Sequence, residues 1–426
     1  MKHTVHEHKL ESGAAGLVVN VPGSSVVNMR VTFHSGFQYA SSEAYEVPHI
    51  MEHLLATVTK KHSKPNEFMI EAQKNGAYVN ASTSADTNEY IYECAAFELD
   101  RIIDLVEEQV CEPLFKQAAF EAEKSNVREE LTRNTTQHMS VCTMALAEQS
   151  APKLWRKYES RISQLEDIKL EQLEAHYQRT HTAANARFYL SGDFPDGGEA
   201  VAQRFAKIFD RLGEGSRFEL GHAIGRGGKD PILTVRDIDQ VYYRTGMYFG
   251  EVDEAGRAAL AMLRMIMAGG MGSRVLGEAR RRGLAYSVGA IGYAEPNNST
   301  FGFAGYVTPG HAEALFEVIA RSMREVAEGD CTAEELKAAS DLIVGSITRS
   351  TQTSGDILQW YMDRYDEEGI VRKFEDGLDQ LRQVKLDDVQ NICTRITSST
   401  ETGLSLLGRL DEGQAQGYME ILNLKA

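Results

Sequence analysis

The chain repeats itself. His49-Ile-Met-Glu52-His53 lines up with Met265-Ile-Met-Ala-Gly269 at an offset of 216 (265 − 49), and Glu130-Leu-Thr-Arg-Asn134 lines up with Ser346-Ile-Thr-Arg-Ser350 at the same offset (346 − 130). Two separated matches in one register argue for duplication rather than for chance likeness between helical segments. A duplicated chain of 426 residues is long enough for two similar domains, each with a core of its own. The register is interrupted once, at the strand over 283–292, which needs a local gap.

Local patterning fills in the repeat unit. Residues 14–33 read as two strands joined by a Pro-Gly-Ser turn. A helix carrying His49–His53 follows, then a short helix over 66–74 ended by Asn75-Gly76. Residues 77–83 and 89–97 read as strands, 98–110 and 117–133 as amphipathic helices, with helical patterning to about 156, and 186–191 as a strand that closes the first half. The Gly-rich stretch 213–230 has few periodic apolar positions. The expected division is therefore a first domain at 1–215, a linker at 216–230 and a second domain at 231–426.

Composition excludes some functions. Lys+Arg total 45 against 62 Asp+Glu, a net charge of −17, which argues against nucleic acid as a partner. The five cysteines (Cys94, Cys111, Cys142, Cys331, Cys393) are scattered and never in C-x-x-C spacing, as expected of free thiols in a reducing, cytoplasmic compartment. The N-terminal segment has no apolar stretch of signal-peptide type, and no apolar run is long enough for membrane insertion. The segment that carries His3, His6 and His8 reads as an alternating strand start with solvated histidines rather than as a metal site.

His49-Ile-Met-Glu52-His53 has the form H-x-x-E-H, an inverted zinc-protease motif. Pro48 just before the first His suits a helix start. On a helix, residues four apart share a face, so His49 and His53 can grip one ion, and Glu52 is placed to touch a water rather than the metal. With 12 His and 62 Asp+Glu in the chain, such a pattern alone is a moderate signal. A third ligand strengthens it. The helix over 117–133 offers Glu121, Glu123, Glu129 and Glu130. Glu123 and Glu130 are two turns apart on one face, so one can ligate while the other supports. In the second half the corresponding positions are Met265, Ala268, Gly269 and Ser346. One half is thus equipped for chemistry and the other is a structural, substrate-holding copy.

With these residues in place, the chain resembles the pitrilysin/insulinase family of zinc peptidases, the inverzincins. In particular it is similar to the two-domain branch that includes the mitochondrial processing peptidase and its bacterial homologues. Val127-Arg-Glu-Glu130-Leu131, at 77 residues from His53 (130 − 53), matches the family's third-ligand helix. Asn80-Ala-Ser-Thr83 looks like its edge strand, and Gly269-Gly-Met-Gly-Ser-Arg274 with Arg282-Gly-Leu-Ala-Tyr286 looks like its second-half signature. The expected fold class is α+β: two tandem homologous domains, each a mostly antiparallel sheet packed against a layer of helices.

The resemblance implies one Zn2+ per chain, held by His49, His53 and Glu130, with Glu52 as the base that takes a proton from the metal-bound water and Glu123 as the supporting carboxylate. It implies that Asn80, Ala81, Ser82 and Thr83 hold an extended peptide as an added strand. Tyr286 fits the family's oxyanion-binding Tyr. The family's Arg falls seven residues earlier, where Ala279 stands, and Arg280 is the nearest replacement. A two-domain chain of this family completes its chamber with a second subunit, identical or a sister, Tyr286 then facing the partner's zinc. The expected function is zinc-dependent endopeptidase action on peptides or flexible precursor segments. The competing readings are a peptide-binding scaffold subunit of a heterodimeric processing peptidase, and a dedicated leader peptidase for an antibiotic-type precursor.

Overall fold

A computed structural model describes residues 1–219, 225–294, 299–399 and 401–424. The first half opens with strands β1 (Thr4–Lys9), β2 (Ala15–Asn20) and β3 (Val26–Phe33), then helices α1 (Val47–Leu55) and α2 (Glu67–Ala72). Strands β4 (Tyr78–Thr83) and β5 (Asn88–Ala95) form a hairpin, followed by α3 (Leu99–Cys111), α4 (Gln117–Asn134), α5 (His138–Ser150), α6 (Tyr158–Gln164) and α7 (Leu170–Thr180). Strand β6 (Ala186–Gly192) and helix α8 (Glu199–Phe209) end it. The second half runs β7 (Ile232–Val235), β8 (Val241–Tyr248), α9 (Glu254–Ala268), α10 (Arg274–Arg281), β9 (Val288–Tyr293), β10 (Thr300–Val307), α11 (Ala312–Ala327), α12 (Ala333–Ser350), α13 (Ser354–Glu368), α14 (Phe374–Gln383), α15 (Leu386–Thr397), β11 (Glu401–Gly408) and α16 (Glu412–Ile421).

The duplication holds strand by strand. One sheet has the order β1-β2-β6-β3-β5-β4 and the other β7-β11-β8-β10-β9. Leaving aside β1, the two orders are the same under β2→β7, β6→β11, β3→β8, β5→β10 and β4→β9. The directions agree as well: β2–β6 and β7–β11 are parallel and every other pair is antiparallel. The fold is the expected α+β pair of homologous domains, with sheets that are mixed by one parallel pair each. Helices α4 and α12 are offset by 216 at both ends (333 − 117 and 350 − 134), the register of the two sequence matches. The gap at the 283–292 strand is also real: β9 follows β4 by only 210 (288 − 78).

The compact units do not follow the division at 216–230. One comprises 1–131, 160–221 and 350–374; the other comprises 132–159, 222–349 and 375–426. Two equivalent helices are thus exchanged. Helix α13, from the second half, packs on β2, β3 and β6, and α5, from the first half, packs on β8 and β11. Ser354 and Asn28 hydrogen-bond at 3.0 Å, and Tyr189 hydrogen-bonds Asp366. The exchanged helix covers the second face of each sheet, and in β3 that face carries the polar residues Asn28, Arg30 and Thr32 of an alternating pattern. In the first sheet Val27, Met29, Val31 and Phe33 are 0–2% exposed and face the core, while Asn28 between them meets α13.

The expected linker partly escapes description, since 220–224 lie outside the described residues. Its ends are fastened to separate units. The Phe218 carbonyl accepts from His34 Nδ1 at 2.6 Å and Arg179 lies 5.5 Å over the Phe218 ring, whereas the Arg226 N–H donates to the Ser150 carbonyl at 3.1 Å. Among the described residues no helix is long and apolar enough to cross a membrane.

Candidate metal centre

Helix α1 has Pro48 in its first turn and buries Val47, Pro48, His49, Ile50, Met51, Leu54 and Leu55. Only Glu52 and His53 are left half-exposed. Helix α4 buries Phe120, Glu123, Lys124, Val127 and Leu131, a stripe at spacings of three and four. Glu130 lies at the margin of that stripe, half-exposed, while Glu129 is exposed.

The two helices bring His49, His53 and Glu130 together, with one ligand atom from each all within 4.8 Å of one another. His49 Nε2 is 3.7 Å and His53 Nε2 3.8 Å from the same oxygen, Glu130 Oε2. These separations exceed a hydrogen bond and lie within the span one ion bridges with two bonds of about 2 Å. The imidazoles cross at 80° with centroids 5.0 Å apart. Among the described residues no other group of three His, Cys, Asp or Glu meets this geometry.

Each imidazole is also fixed from behind. His53 Nδ1 is 3.2 Å from Glu123 Oε2, which accepts from Asn126 Nδ2 at 3.0 Å; Glu123 Oε1 accepts from Thr57 Oγ1 at 2.7 Å. Glu123 is buried, which would raise its pKa, yet the hydrogen bonds from His53, Asn126 and Thr57 hold it below the usual carboxylate value. His49 Nδ1 is 3.1 Å from Glu46 Oε2, and Arg161 Nη2 donates to that oxygen at 3.0 Å. Burial disfavours the charged form of His49, but Glu130 and Glu46 overcome it and lift its pKa to about 9. That shift registers a strong negative field at the imidazole, the field that favours a divalent cation. Two imidazoles with both Nδ1 atoms engaged and both Nε2 atoms turned to one carboxylate form a donor set that fits zinc.

Glu52 Oε2 accepts from Thr83 Oγ1 at 2.6 Å. Thr83 ends β4, the last strand of its sheet among the described residues, so Asn80, Ala81, Ser82 and Thr83 lie on an edge that no other described strand pairs and that leads to Glu52. Tyr286 and Arg280 lie in the other compact unit. The Arg280 guanidinium stacks 4.2 Å over the Tyr286 ring and Nη1 donates to the Tyr286 carbonyl at 3.1 Å. Tyr286 is 74% exposed, at a cleft of about 440 Å³ shared with Tyr306, Thr308 and His311. Ala279, at the family position of the Arg, is fully buried.

In the second copy the metal-type residues are gone. Met265 and Ala339, 216 after His49 and Glu123, line an apolar cleft of about 480 Å³ with Leu342. Sequence reasoning missed Glu46, Arg161, Thr57, Asn126 and Asn88. Glu46 carried a usable signal, being three residues before His49 and so on its helix face; Arg161, 115 residues away, carried none.

Comparison with known proteins agrees with the fold and the duplication. Residues 17–155 match the family model "Insulinase (Peptidase family M16)" and residues 167–342 match "Peptidase M16 inactive domain". A Schizosaccharomyces pombe protein, mug138, whose name proposes a zinc protease, is 27% identical over 126 residues; the match takes in 30% of this chain and only 13% of that protein. The crystal structure of a protease from Helicobacter pylori superimposes with a TM-score of 0.83 at 18% identity, covering 95% of this chain and 100% of that one. A peptidase M16 inactive domain from Pseudomonas fluorescens gives 0.84 at 16% identity, covering 96% and 98%. With both halves matched in order and the whole fold shared, the chain belongs to the insulinase family, peptidase family M16.

Proposed function

We propose that this chain is a zinc-dependent endopeptidase acting on peptides or flexible protein segments. The observation that carries the reading is the pair of Nε2 atoms 3.7 and 3.8 Å from one Glu130 oxygen, each imidazole backed by a second carboxylate. His49, His53 and Glu130 would hold the ion, which would supply Lewis-acid activation of water and of the scissile carbonyl. Glu52 then accepts the proton and delivers it to the leaving nitrogen. Thr83 fixes the Glu52 carboxylate by its 2.6 Å hydrogen bond. The outer edge of β4 holds the peptide by backbone hydrogen bonds that do not read side chains. In this reading Arg280 and Tyr286 serve substrate binding and the oxyanion, across a dimer in which the second domain faces a partner chain's site. The family membership and the name of the yeast relative support zinc as the ion.

The test combines zinc content of the purified protein with mass spectrometry of products from an unstructured peptide pool, with and without Glu52→Gln. The variant should keep its zinc and lose cleavage by a factor on the order of 10²–10⁴. Equal cleavage by the variant rejects Glu52 as the base. A protein that binds zinc and peptide yet never cleaves is the scaffold subunit instead.

A further inference from the structure

An ion pair is buried beneath His49. Glu46, at the N-terminal end of α1, is 0% exposed and Arg161, on α6, is 6% exposed. Arg161 grips both carboxylate oxygens, Nε at 2.5 Å on Oε1 and Nη2 at 3.0 Å on Oε2. Its guanidinium lies 4.9 Å over the Phe37 ring and 5.6 Å over that of Tyr45, which stack on each other at 4.8 Å. The Oε2 that takes Arg161 also faces His49 Nδ1 at 3.1 Å.

Burying two charges is costly, and a well-packed apolar pair of similar volume often does as well or better for stability. The molecule contains its own control. Helices α6 and α14 start 216 residues apart (374 − 158), as do α7 and α15 (386 − 170). In this register Glu46 corresponds to Met262 and Arg161 to Gly377. Met262 is fully buried in the core of the second unit. The copy that has Met265 and Gly269 for the two histidines thus also lacks both members of the ion pair, and its fold closes without them.

We infer that Glu46 and Arg161 are positioning residues for the metal centre: Arg161 fixes the Glu46 carboxylate, and Glu46 accepts a hydrogen bond from the His49 Nδ1–H, keeping the proton on that nitrogen, so that His49 presents its Nε2 lone pair toward His53 and Glu130. The couple sets one imidazole's tautomer and ring plane. This rests on the zinc reading above.

The test is the double variant Glu46→Met/Arg161→Met, because a single change leaves one charge buried alone. Zinc affinity is measured by competition with a chromophoric chelator, the visible spectrum is recorded on the cobalt(II)-loaded protein, and thermal unfolding on the metal-free protein. The double variant should keep or raise the metal-free Tm, weaken zinc about 10- to 100-fold, and shift the cobalt bands. Wild-type zinc affinity and an unchanged cobalt spectrum in the double variant overturn the inference while leaving the zinc reading intact. Loss of the metal-free fold also overturns it, since the pair is then a structural element. Failure of the unmodified protein to bind zinc overturns both readings.

Discussion

Thr83 Oγ1 donates a 2.6 Å hydrogen bond to Glu52 Oε2, and the direction of that bond is fixed by the residue behind it. Asn88, fully buried, donates to Thr83 Oγ1 at 2.7 Å and to the Pro48 carbonyl at 3.1 Å, while its Oδ1 accepts from Ser35 at 2.7 Å. With Asn88 occupying an acceptor site, the Thr83 hydroxyl spends its one proton on Glu52. The β4–β5 hairpin and the helix bearing the proposed base are therefore joined at two points, the Thr83 hydroxyl on Glu52 and the Asn88 amide on the Pro48 carbonyl.

Thr83→Val keeps the shape and removes that hydroxyl. A hydrogen bond to a charged group contributes about 1.5 kcal/mol or more, so kcat should fall roughly tenfold while zinc content is unchanged. Steady-state kinetics together with metal analysis check this; a wild-type kcat would show that Glu52 holds its orientation without Thr83.

Glu129 and Glu130 are adjacent acids on α4, one exposed and one facing the histidines. Glu130→Gln should lose zinc binding by at least about tenfold, because a carboxylate ligand becomes a neutral amide. Glu129→Gln should leave it within about twofold, as is usual for an exposed position. Equilibrium zinc competition on the two proteins separates these outcomes, and equal losses would move the third ligand elsewhere.

If β4 takes the peptide as an added strand, side chains along it matter less than the substrate's own backbone. Asn80→Ala and Ser82→Ala should change KM by less than about threefold, whereas N-methylation of alternate substrate amides should raise KM by about tenfold through lost main-chain hydrogen bonds. A synthetic N-methyl series on one cleaved peptide is the measurement, and an indifferent KM counts against strand addition.

Asp366 gives the exchanged helix α13 a pH dependence. Burial raises its pKa to about 6, against the lowering effects of the Tyr189 hydrogen bond and of Arg217 and Arg187. A folded-state pKa above the ordinary value of 3.8 means that folding favours the protonated acid. Its contribution to stability is therefore fully present below about pH 4 and is lost as pH rises to about 6. Asp366→Asn should accordingly stabilise the protein by about 1–2 kcal/mol at pH 7.5, allowing for the partial exposure of the side chain, and by nothing at pH 3.5. Denaturant unfolding at the two pH values tests the sign.

Much of this molecule was legible in its sequence because helical spacing is short-range. His49, Glu52 and His53 needed only α1 to form, and Glu123 and Glu130 only a continuous α4. The strands from 14–33 and the helices at 98–110 and 117–133 fell within one or two residues of β2, β3, α3 and α4. The exchange of α5 and α13 was not legible. The two helices hold equivalent places on equivalent sheets, and helical periodicity records that each has an apolar stripe without recording which sheet the stripe covers. Arg161 was hidden for a related reason: its partner Glu46 is 115 residues away, and no periodicity records a contact at that distance.

The reciprocal loan of α5 and α13 makes the duplication indivisible. A fragment cut at 220–224 would carry away a helix that belongs to its sibling and leave bare the sheet face its own lost helix should cover. Neither piece is then a self-sufficient folding unit, and co-expressed halves should recover their structure only together. The exchange also forces closure of contacts between residues far apart in sequence, such as Asn28 with Ser354, a topology that slows folding and prolongs exposure of unfinished sheets to aggregation.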